Sequence, residues 1–336
     1  MSDRRTILMI ATGGTIASMD EGHGLTPKLT SEEILGTIPE VKDICDIETL
    51  QLMNLDSTNI GPAEWQKIAE CIREEYARYD GFVVTHGTDT MAYTAAALSY
   101  MIQNSPKPVV ITGSQKSIFL RDTDARVNLL DSFVYAADPG SWGVTIVFNG
   151  KAILGTRARK ERSKSYNAFN SVDYPEAAII RNSRVIRYLT RPDLRRADAP
   201  AINTGLDGRL LLLTLIPGMS AQVLRNCIED YDAVILRSFG VGGLPGSDRG
   251  GLAEALREWT ERGKLVVMMT QVPYEGSDMN VYQVGQKIKH ELNMLEGYDM
   301  TLEAVVTKLM WILGQTRDPD RVRELFYTPV QNDLVQ

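Results

Sequence analysis

A threonine directly behind a pair of glycines is the first candidate for chemistry in this sequence. Thr15 lies in the segment ATGGTIAS (11–18), which follows an apolar run at residues 6–11. Glycines permit a tight strand exit with exposed backbone amides, so this loop can hold an anion or an oxyanion, although a plain turn would use the same residues. Nucleotide-binding motifs are excluded, because no G-x-G-x-x-G occurs here or at residues 240–246 and no G-K-[ST] follows the glycines.

A second polar cluster ends the run VVTHGTDTMAY (83–93). Thr88 and Asp89 follow the apolar part of this run, and a carboxylate between two threonines can anchor a substrate ammonium or hold a lysine in place. Thr90 has the sequence position of a helix N-cap. His86 could act as a general base or could be a structural group with satisfied hydrogen bonds.

Two more clusters complete the candidates. The segment LMNLDSTN (52–59) closes another apolar run with Asp56, Ser57 and Thr58, which could equally form a turn or a cap. The segment GTRARKERSKSY (155–166) is basic, and most of its charges are expected to be solvated. One of its lysines could instead turn inward as a base or cation, because a lysine stem tolerates burial.

These residue types indicate a reaction class. The three histidines and three cysteines are scattered, with no zinc-type spacing. Hydroxyls, a carboxylate and a lysine then indicate hydrolysis through a threonine nucleophile that a non-histidine base activates. Exposed amides beside that threonine would stabilise a tetrahedral oxyanion by about 3 to 4 kcal/mol for each donor.

The elements that must position these groups follow an α/β rhythm, in which short β-branched runs alternate with helical patterns. The predicted fold class is α/β, a larger N-terminal parallel-type sheet domain with flanking helices plus a smaller C-terminal α/β domain. The predicted strands are residues 6–11, 47–53, 81–85, 108–112, 143–148, 210–218, 233–240 and 264–271, and the predicted helices are 62–78, 90–103, 124–137, 220–227, 251–262 and 301–314. In open α/β sheets ligands bind outside the carboxyl ends of the strands, where the clusters lie.

Residues 181–203 are charged, contain proline and show no sustained periodicity, so they are predicted to be a linker. The predicted domains are residues 1–190, a linker at 191–207, and residues 208–336.

Composition excludes several classes of function. The 336 residues are 43% hydrophobic and 24% charged, which is typical of a globular chain of about two domains. A formal charge of -7 predicts no nucleic-acid or anionic-lipid partner. The N-terminal apolar stretch ILMIA is too short for a signal peptide, and no run approaches the length of a membrane span. We therefore expect a cytoplasmic protein with no membrane partner, which its odd, widely spaced cysteines also favour.

Seven motifs, in order, resemble the bacterial L-asparaginase family, specifically its cytoplasmic type I branch. They are TGGTIAS, DSTN, THGTDTMAYT, VVITGSQ, the R-x-x-K stretch before SYNAF, LRSFGVG and TKLMWILGQ, and they extend over nearly the whole chain. The combination of TGGTIA with HGTDT is highly specific. The resemblance implies hydrolysis of the side-chain amide of L-asparagine to L-aspartate and ammonia, without metal or cofactor. It also implies a homodimer or homotetramer with active sites near subunit interfaces.

The resemblance also implies roles for the catalytic residues. Thr15 matches the nucleophile that forms an acyl intermediate with the substrate. Thr88, Asp89 and Lys160 match a relay for proton movement, and which threonine attacks first stays open.

Substrate binding is implied for a second set of residues. Asp56, Ser57 and Thr58 match the segment that receives the α-carboxylate and α-amino group, while Asp89 also pairs with the α-ammonium. Such two-point anchoring orients the amide for attack.

The chain departs from the family in the lid behind the nucleophile, which corresponds to residues 18–30. Gly22 and Gly24 suit a hinge there. Many members have a tyrosine in this segment that contacts the nucleophile, where this chain has Leu25 and Thr26.

A second departure concerns allosteric asparagine binding, which some type I enzymes show. Arg237 matches an arginine of that site, but Arg159 replaces a threonine and Val272 a cysteine. We therefore expect weak or no allosteric activation.

Two rival functions stay open. One is the asparaginase-like subunit of a glutamyl-tRNA amidotransferase, which shares these motifs but carries extra N-terminal sequence and works with a tRNA-binding partner. The other is a silent amino-acid sensor that uses the same pocket without turnover. Selectivity between asparagine and glutamine cannot be predicted, because one methylene is worth only about 1 to 3 kcal/mol.

Overall fold

A computed structural model describes residues 4–20, 25–27, 29–191, 200–244 and 251–335; for residues 19, 20, 25–27 and 284 only the backbone is described. The chain divides into two compact units, one up to residue 205 and one from residue 206.

The first unit is built around one large sheet. Its strands are β1 (Thr6–Gly13), β2 (Ser18–Asp20), β3 (Leu25–Pro27), β4 (Asp46–Leu55), β5 (Gly81–Thr85), β6 (Ile102–Gln103), β7 (Pro108–Thr112), β8 (Gly143–Phe148), β9 (Lys151–Leu154), β10 (Ala158–Lys160), β11 (Phe169–Ser171), β12 (Ala178–Arg181), β13 (Arg184–Arg187) and β14 (Ala201–Ile202). Its helices are α1 (Ser31–Gly36), α2 (Pro62–Glu75), α3 (Met91–Met101) and α4 (Ala125–Ala137). The order in the large sheet is β13-β12-β9-β8-β7-β5-β1-β4.

The half of this sheet whose strands lead into the loops of Thr15, Asp56 and Thr88 is parallel, from β8 through β7, β5 and β1 to β4. Strands β5, β7 and β8 are buried along their whole length, as expected for parallel strands covered on both faces. Their bounds match the predicted strands at both ends. The predicted α/β fold class is confirmed.

The other half of the sheet is antiparallel, which the sequence prediction missed. A turn at Asn149 and Gly150, both with positive φ, returns the chain from β8 into β9. Asn182 and Ser183, also with positive φ, join β12 to β13. Two positive φ values in a two-residue turn are typical of a type I′ hairpin, and the Asn-Gly pair is a strong sequence signal for one.

The segment predicted to be a linker, residues 181–203, contains two short strands. Strand β13 forms an edge of the large sheet. Strand β14 pairs with β6, the short strand that directly follows helix α3 in the chain. Both strands are too short to show a periodicity in sequence. Residues 192–199 lie outside the described part of the chain.

The second unit is a smaller parallel sheet with helices. Its strands, in their sheet order, are β15 (Leu210–Thr214), β16 (Ala233–Ser238), β17 (Leu265–Thr270) and β18 (Leu295–Glu296). Its helices are α5 (Gln222–Cys227), α6 (Leu252–Glu261), α7 (Gln283–Glu291), α8 (Leu302–Leu313) and α9 (Pro319–Tyr327). Trp259 of α6 is fully buried in the core, and its indole N–H donates to the Leu224 carbonyl at 3.1 Å.

None of the helices in the described part of the chain combines the length and the apolar character that a bilayer span requires.

Candidate active site

The loops that follow β1 and β5 in the chain contact each other through the backbones of two glycines. Gly14 has φ +80°, and a Cβ built on it would overlap the backbone of Gly87. A Cβ on Gly87 would in turn lie 2.6 Å from Ser57 Oγ, in the loop behind β4, and 3.1 Å from Gly14 Cα. Three strand ends therefore meet at one point, and Thr15 and Thr88 are the residues that directly follow the two glycines.

One lysine of the basic segment at residues 155–166 points into this site. Lys160 ends β10, which forms a hairpin with β11, and its Nζ donates to Thr88 Oγ at 2.8 Å and to Asp89 Oδ1 at 2.6 Å. The Lys160 side chain is only 17% exposed, whereas that of Asp89 is 59% exposed. The structure thus joins these three predicted residues directly, and the Asp89 carboxylate keeps a surface open to a ligand.

The residues behind β4 join the same cluster. Ser57 is buried, and its Oγ accepts from the Asp89 N–H at 3.3 Å while its carbonyl accepts from Thr90 Oγ at 2.6 Å. Thr90 holds the N-cap position of α3, but its side chain makes no capping hydrogen bond. Asp56 Oδ1 accepts from both the N–H and the Oγ of Thr58 at 2.8 Å, and both residues are exposed.

His86 lies next to the site but is built into the core. Its Nδ1 donates to the Gly87 carbonyl at 2.6 Å, so its Nε2 accepts from Thr94 Oγ at 2.9 Å. Thr94 Oγ accepts in turn from Trp65 Nε1 at 2.9 Å. Burial lowers the pKa of His86 to about 4, which keeps the ring neutral. The geometry favours the structural alternative for His86 over the general base.

Gln115 is a site residue that the sequence analysis did not single out. It lies behind β7, and its Oε1 accepts from Thr88 Oγ at 3.2 Å, while its Nε2 donates to the carbonyls of Arg162 at 3.3 Å and Ser165 at 3.1 Å. The signal available in the sequence was its place after a buried strand, at the edge where the other clusters lie.

Thr15 begins a single 3-10 turn, Thr15–Ala17, and is half-buried. The predicted lid at 18–30 falls partly outside the described residues, which include neither Gly22 nor Gly24 and no side chain of Leu25 or Thr26.

The predicted allosteric residue Arg237 lies in the second unit. It is half-buried on β16, where its Nη2 donates to the Gln271 carbonyl at 3.4 Å. Val272 is exposed in the same unit, and Arg159 lies on β10 of the first unit.

Within the described ranges, no three His, Cys, Asp or Glu side chains are grouped as a metal site would require.

Two family models match the chain, "Asparaginase, N-terminal" over residues 6–193 and "Glutaminase/Asparaginase C-terminal domain" over residues 209–326. An L-asparaginase of Thermococcus kodakarensis is 39% identical over 98% of both chains, and the thermostable L-asparaginase structure from that organism superposes with a TM-score of 0.92 over 98% of this chain and 99% of its own.

Two other relatives broaden the comparison. L-asparaginase 1 of Escherichia coli K12 is 34% identical over 98% of both chains. A component of the glutamyl-tRNA(Gln) amidotransferase of Metallosphaera sedula is 34% identical over 96% of this chain and 75% of its own. The family is thus shared by proteins with two different names.

Proposed function

This chain belongs to the asparaginase family, and we propose that it hydrolyses the side-chain amide of L-asparagine to L-aspartate and ammonia through a threonine nucleophile. The observation that carries the proposal is the contact of Lys160 Nζ with both Thr88 and Asp89, beside the point where the loop of Thr15 meets that of Thr88. Such a constellation pairs a hydroxyl with a cation and a carboxylate.

In the proposed reaction, Thr15 Oγ attacks the side-chain carbonyl carbon and forms a C–O bond as its proton passes through Thr88 and Lys160 to the Asp89 carboxylate. The C–N bond then breaks, and the departing nitrogen takes up a proton to leave as ammonia. Water attacks the acyl intermediate, which releases L-aspartate and restores the Thr15 hydroxyl. Backbone amides beside Thr15 would stabilise the oxyanion in both halves of the reaction.

Thr88, Asp89 and Lys160 are proposed to move the protons. Asp89 holds the Lys160 ammonium, and Lys160 contacts the Thr88 hydroxyl, so charge that develops on either threonine is met by a nearby cation. Which of the two threonines attacks first is left open.

Asp56, Ser57 and Thr58 are proposed to bind the α-carboxylate and α-amino group of the substrate, with Asp89 on the ammonium. The exposure of Asp56, Thr58 and Asp89 and the contacts that join Ser57 to Asp89 support this assignment. Two fixed ends orient the amide between them.

We also propose that the chain belongs to the bacterial type I branch, is cytoplasmic and self-associates into a dimer or tetramer. The proposed domains are residues 1–190, a linker at 191–207, and residues 208–336. We further propose weak or absent allosteric activation, which predicts a hyperbolic rate curve at low asparagine; a Hill coefficient clearly above one would contradict it.

The relatives named as components of a glutamyl-tRNA(Gln) amidotransferase favour one second candidate, amide hydrolysis in a complex that serves glutamyl-tRNA(Gln). An ammonia-release assay of the purified chain with free asparagine and free glutamine separates the possibilities. We expect ammonia from asparagine. No ammonia from either amide would contradict the proposal and would leave the partner-dependent enzyme or a silent sensor.

A further inference from the structure

The backbone of Gln115 is held in place behind β7. Its N–H donates to both oxygens of the buried Asp124 carboxylate, at 3.1 and 2.9 Å, and the Lys116 N–H donates to Oδ1 at 3.1 Å. Asn128 Nδ2 donates to the other oxygen of Asp124 at 3.2 Å. The half-buried Gln115 side chain therefore starts from a fixed point of the first unit.

Two backbone carbonyls determine which way the Gln115 amide faces. The carbonyls of Arg162 and Ser165 can only accept, so the NH₂ group of Gln115 must lie toward them. The amide oxygen consequently faces Thr88 Oγ at 3.2 Å. An amide oxygen can only accept, so Thr88 is the donor of this hydrogen bond.

The orientation of the Thr88 hydroxyl follows from these two contacts. Lys160, as an ammonium paired with Asp89, has only hydrogens to offer, so Thr88 Oγ accepts from it at 2.8 Å. The Thr88 hydroxyl therefore donates its hydrogen to Gln115 Oε1 and accepts a hydrogen bond from Lys160 Nζ through a lone pair. It can pass that hydrogen to Lys160 only after its hydrogen bond to Gln115 breaks and Lys160 gives one of its own hydrogens to Asp89.

We propose that Gln115 is a positioning residue, which sets the hydrogen-bond direction of the Thr88 hydroxyl and fixes the turn at residues 162–165 that follows Lys160. This inference rests on the proposed asparagine hydrolysis. Gln115 acts through Thr88 and Lys160, so its loss lowers the rate of the chemical step. It makes none of the proposed contacts to the ends of the substrate.

The test compares Gln115→Met with the wild-type chain in steady-state kinetics with asparagine. Methionine keeps the length of the side chain and removes both hydrogen-bonding groups. We expect kcat to fall by about 10- to 100-fold, the size of effect that misplaced reacting groups cause, with KM changed less than threefold. Gln66→Met is the matched control, because Gln66 Nε2 also donates to a backbone carbonyl, that of Thr204 at 2.8 Å; its kcat should stay within twofold.

A kcat for Gln115→Met within twofold of wild type, or a loss confined to KM, would overturn the inference. If that variant does not fold, Gln115→Asn carries the same expectation, since its shorter amide cannot reach both Thr88 and the turn. If the wild-type chain releases no ammonia from asparagine, the proposed function fails separately. In that case, crystal structures of the wild-type chain and of Gln115→Met test the role of Gln115. The inference predicts a longer distance between Lys160 Nζ and Thr88 Oγ in the variant, and an unchanged 2.8 Å would reject it.

Discussion

Lys160 is the residue on which the proposed proton movement depends. Its ammonium lies between Thr88 Oγ and Asp89 Oδ1, which come from a loop more than seventy positions earlier in the chain. The Lys160 side chain is largely buried, and its ammonium contacts two fixed partners. If the lysine is removed, a water molecule in its place cannot supply the same positive charge to both partners.

We predict that Lys160→Met lowers kcat for asparagine by several orders of magnitude, while the protein stays folded. Lys164→Met is the control, since Lys164 is an exposed residue of the same segment, and its kcat should not change. Initial rates of ammonia release measure both. Near-normal turnover by the Lys160 variant would show that this lysine is not needed for the proton movement and has only a structural role.

His86 affects the stability of the fold and not the proposed reaction. Its pKa of about 4 in the folded chain lies below the usual value near 6.5, so the unfolded chain binds a proton first as the pH falls. The free energy of unfolding should therefore decrease between about pH 6.5 and pH 4, by up to about 3 kcal/mol from this group.

Urea unfolding at pH 7 and pH 4.5 checks this expectation. The decrease should be smaller in His86→Gln, whose side chain does not titrate. Equal decreases in both proteins would show that His86 does not contribute to the pH dependence.

Some residues of the candidate site could be predicted from the sequence, and others could not. Strand ends pointed to Thr15, Thr88, Asp89 and Asp56, because polar groups that follow apolar runs are visible in sequence. Lys160 could not be distinguished from its basic neighbours without the family resemblance. Gln115 was missed, because its importance lies in contacts with carbonyls about fifty residues further along the chain.

At the scale of elements, the site depends on how closely two loops approach. Gly14 combines a positive φ with direct contact between its backbone and that of Gly87, so no larger residue fits. This approach brings the loop of Thr15 to that of Thr88.

We predict that Gly14→Ala lowers the free energy of unfolding by about 1 to 3 kcal/mol through backbone strain and abolishes most turnover. Gly36→Ala is the control, because a Cβ there meets nothing within 4 Å, and its stability should change by less than about 1 kcal/mol. Denaturant unfolding with an activity assay measures both effects. A stable, active Gly14→Ala protein would contradict the close approach.

The parallel half of the sheet was predictable, since its strands are continuous buried runs of β-branched residues. The antiparallel half was not predicted, because β9, β12 and β13 are each only four residues long. The Asn-Gly pair before β9 was the usable sign, and the Asn-Ser turn before β13 was a weaker one.

At the scale of the whole molecule, composition and rhythm predicted an α/β chain of about two domains. They carry no information on association, because that depends on which surfaces of two copies fit each other. The family resemblance alone supplied the proposed dimer or tetramer.

Light scattering on the purified chain tests that proposal. We expect a mass two or four times the 37.4 kDa of one chain. A protein that stays at 37.4 kDa at assay concentrations and still hydrolyses asparagine would exclude an active site that needs a neighbouring copy of the chain.

The most direct test of the proposed mechanism is ammonia release from saturating asparagine by Thr15→Ala. A half-buried threonine of α6, Thr260, supplies the control, because its hydroxyl donates to the Arg257 carbonyl of its own helix. Turnover should vanish in Thr15→Ala, with the fold intact, and should persist in Thr260→Ala. Full activity of the Thr15 variant would remove that threonine from the reaction and contradict the mechanism proposed for this chain.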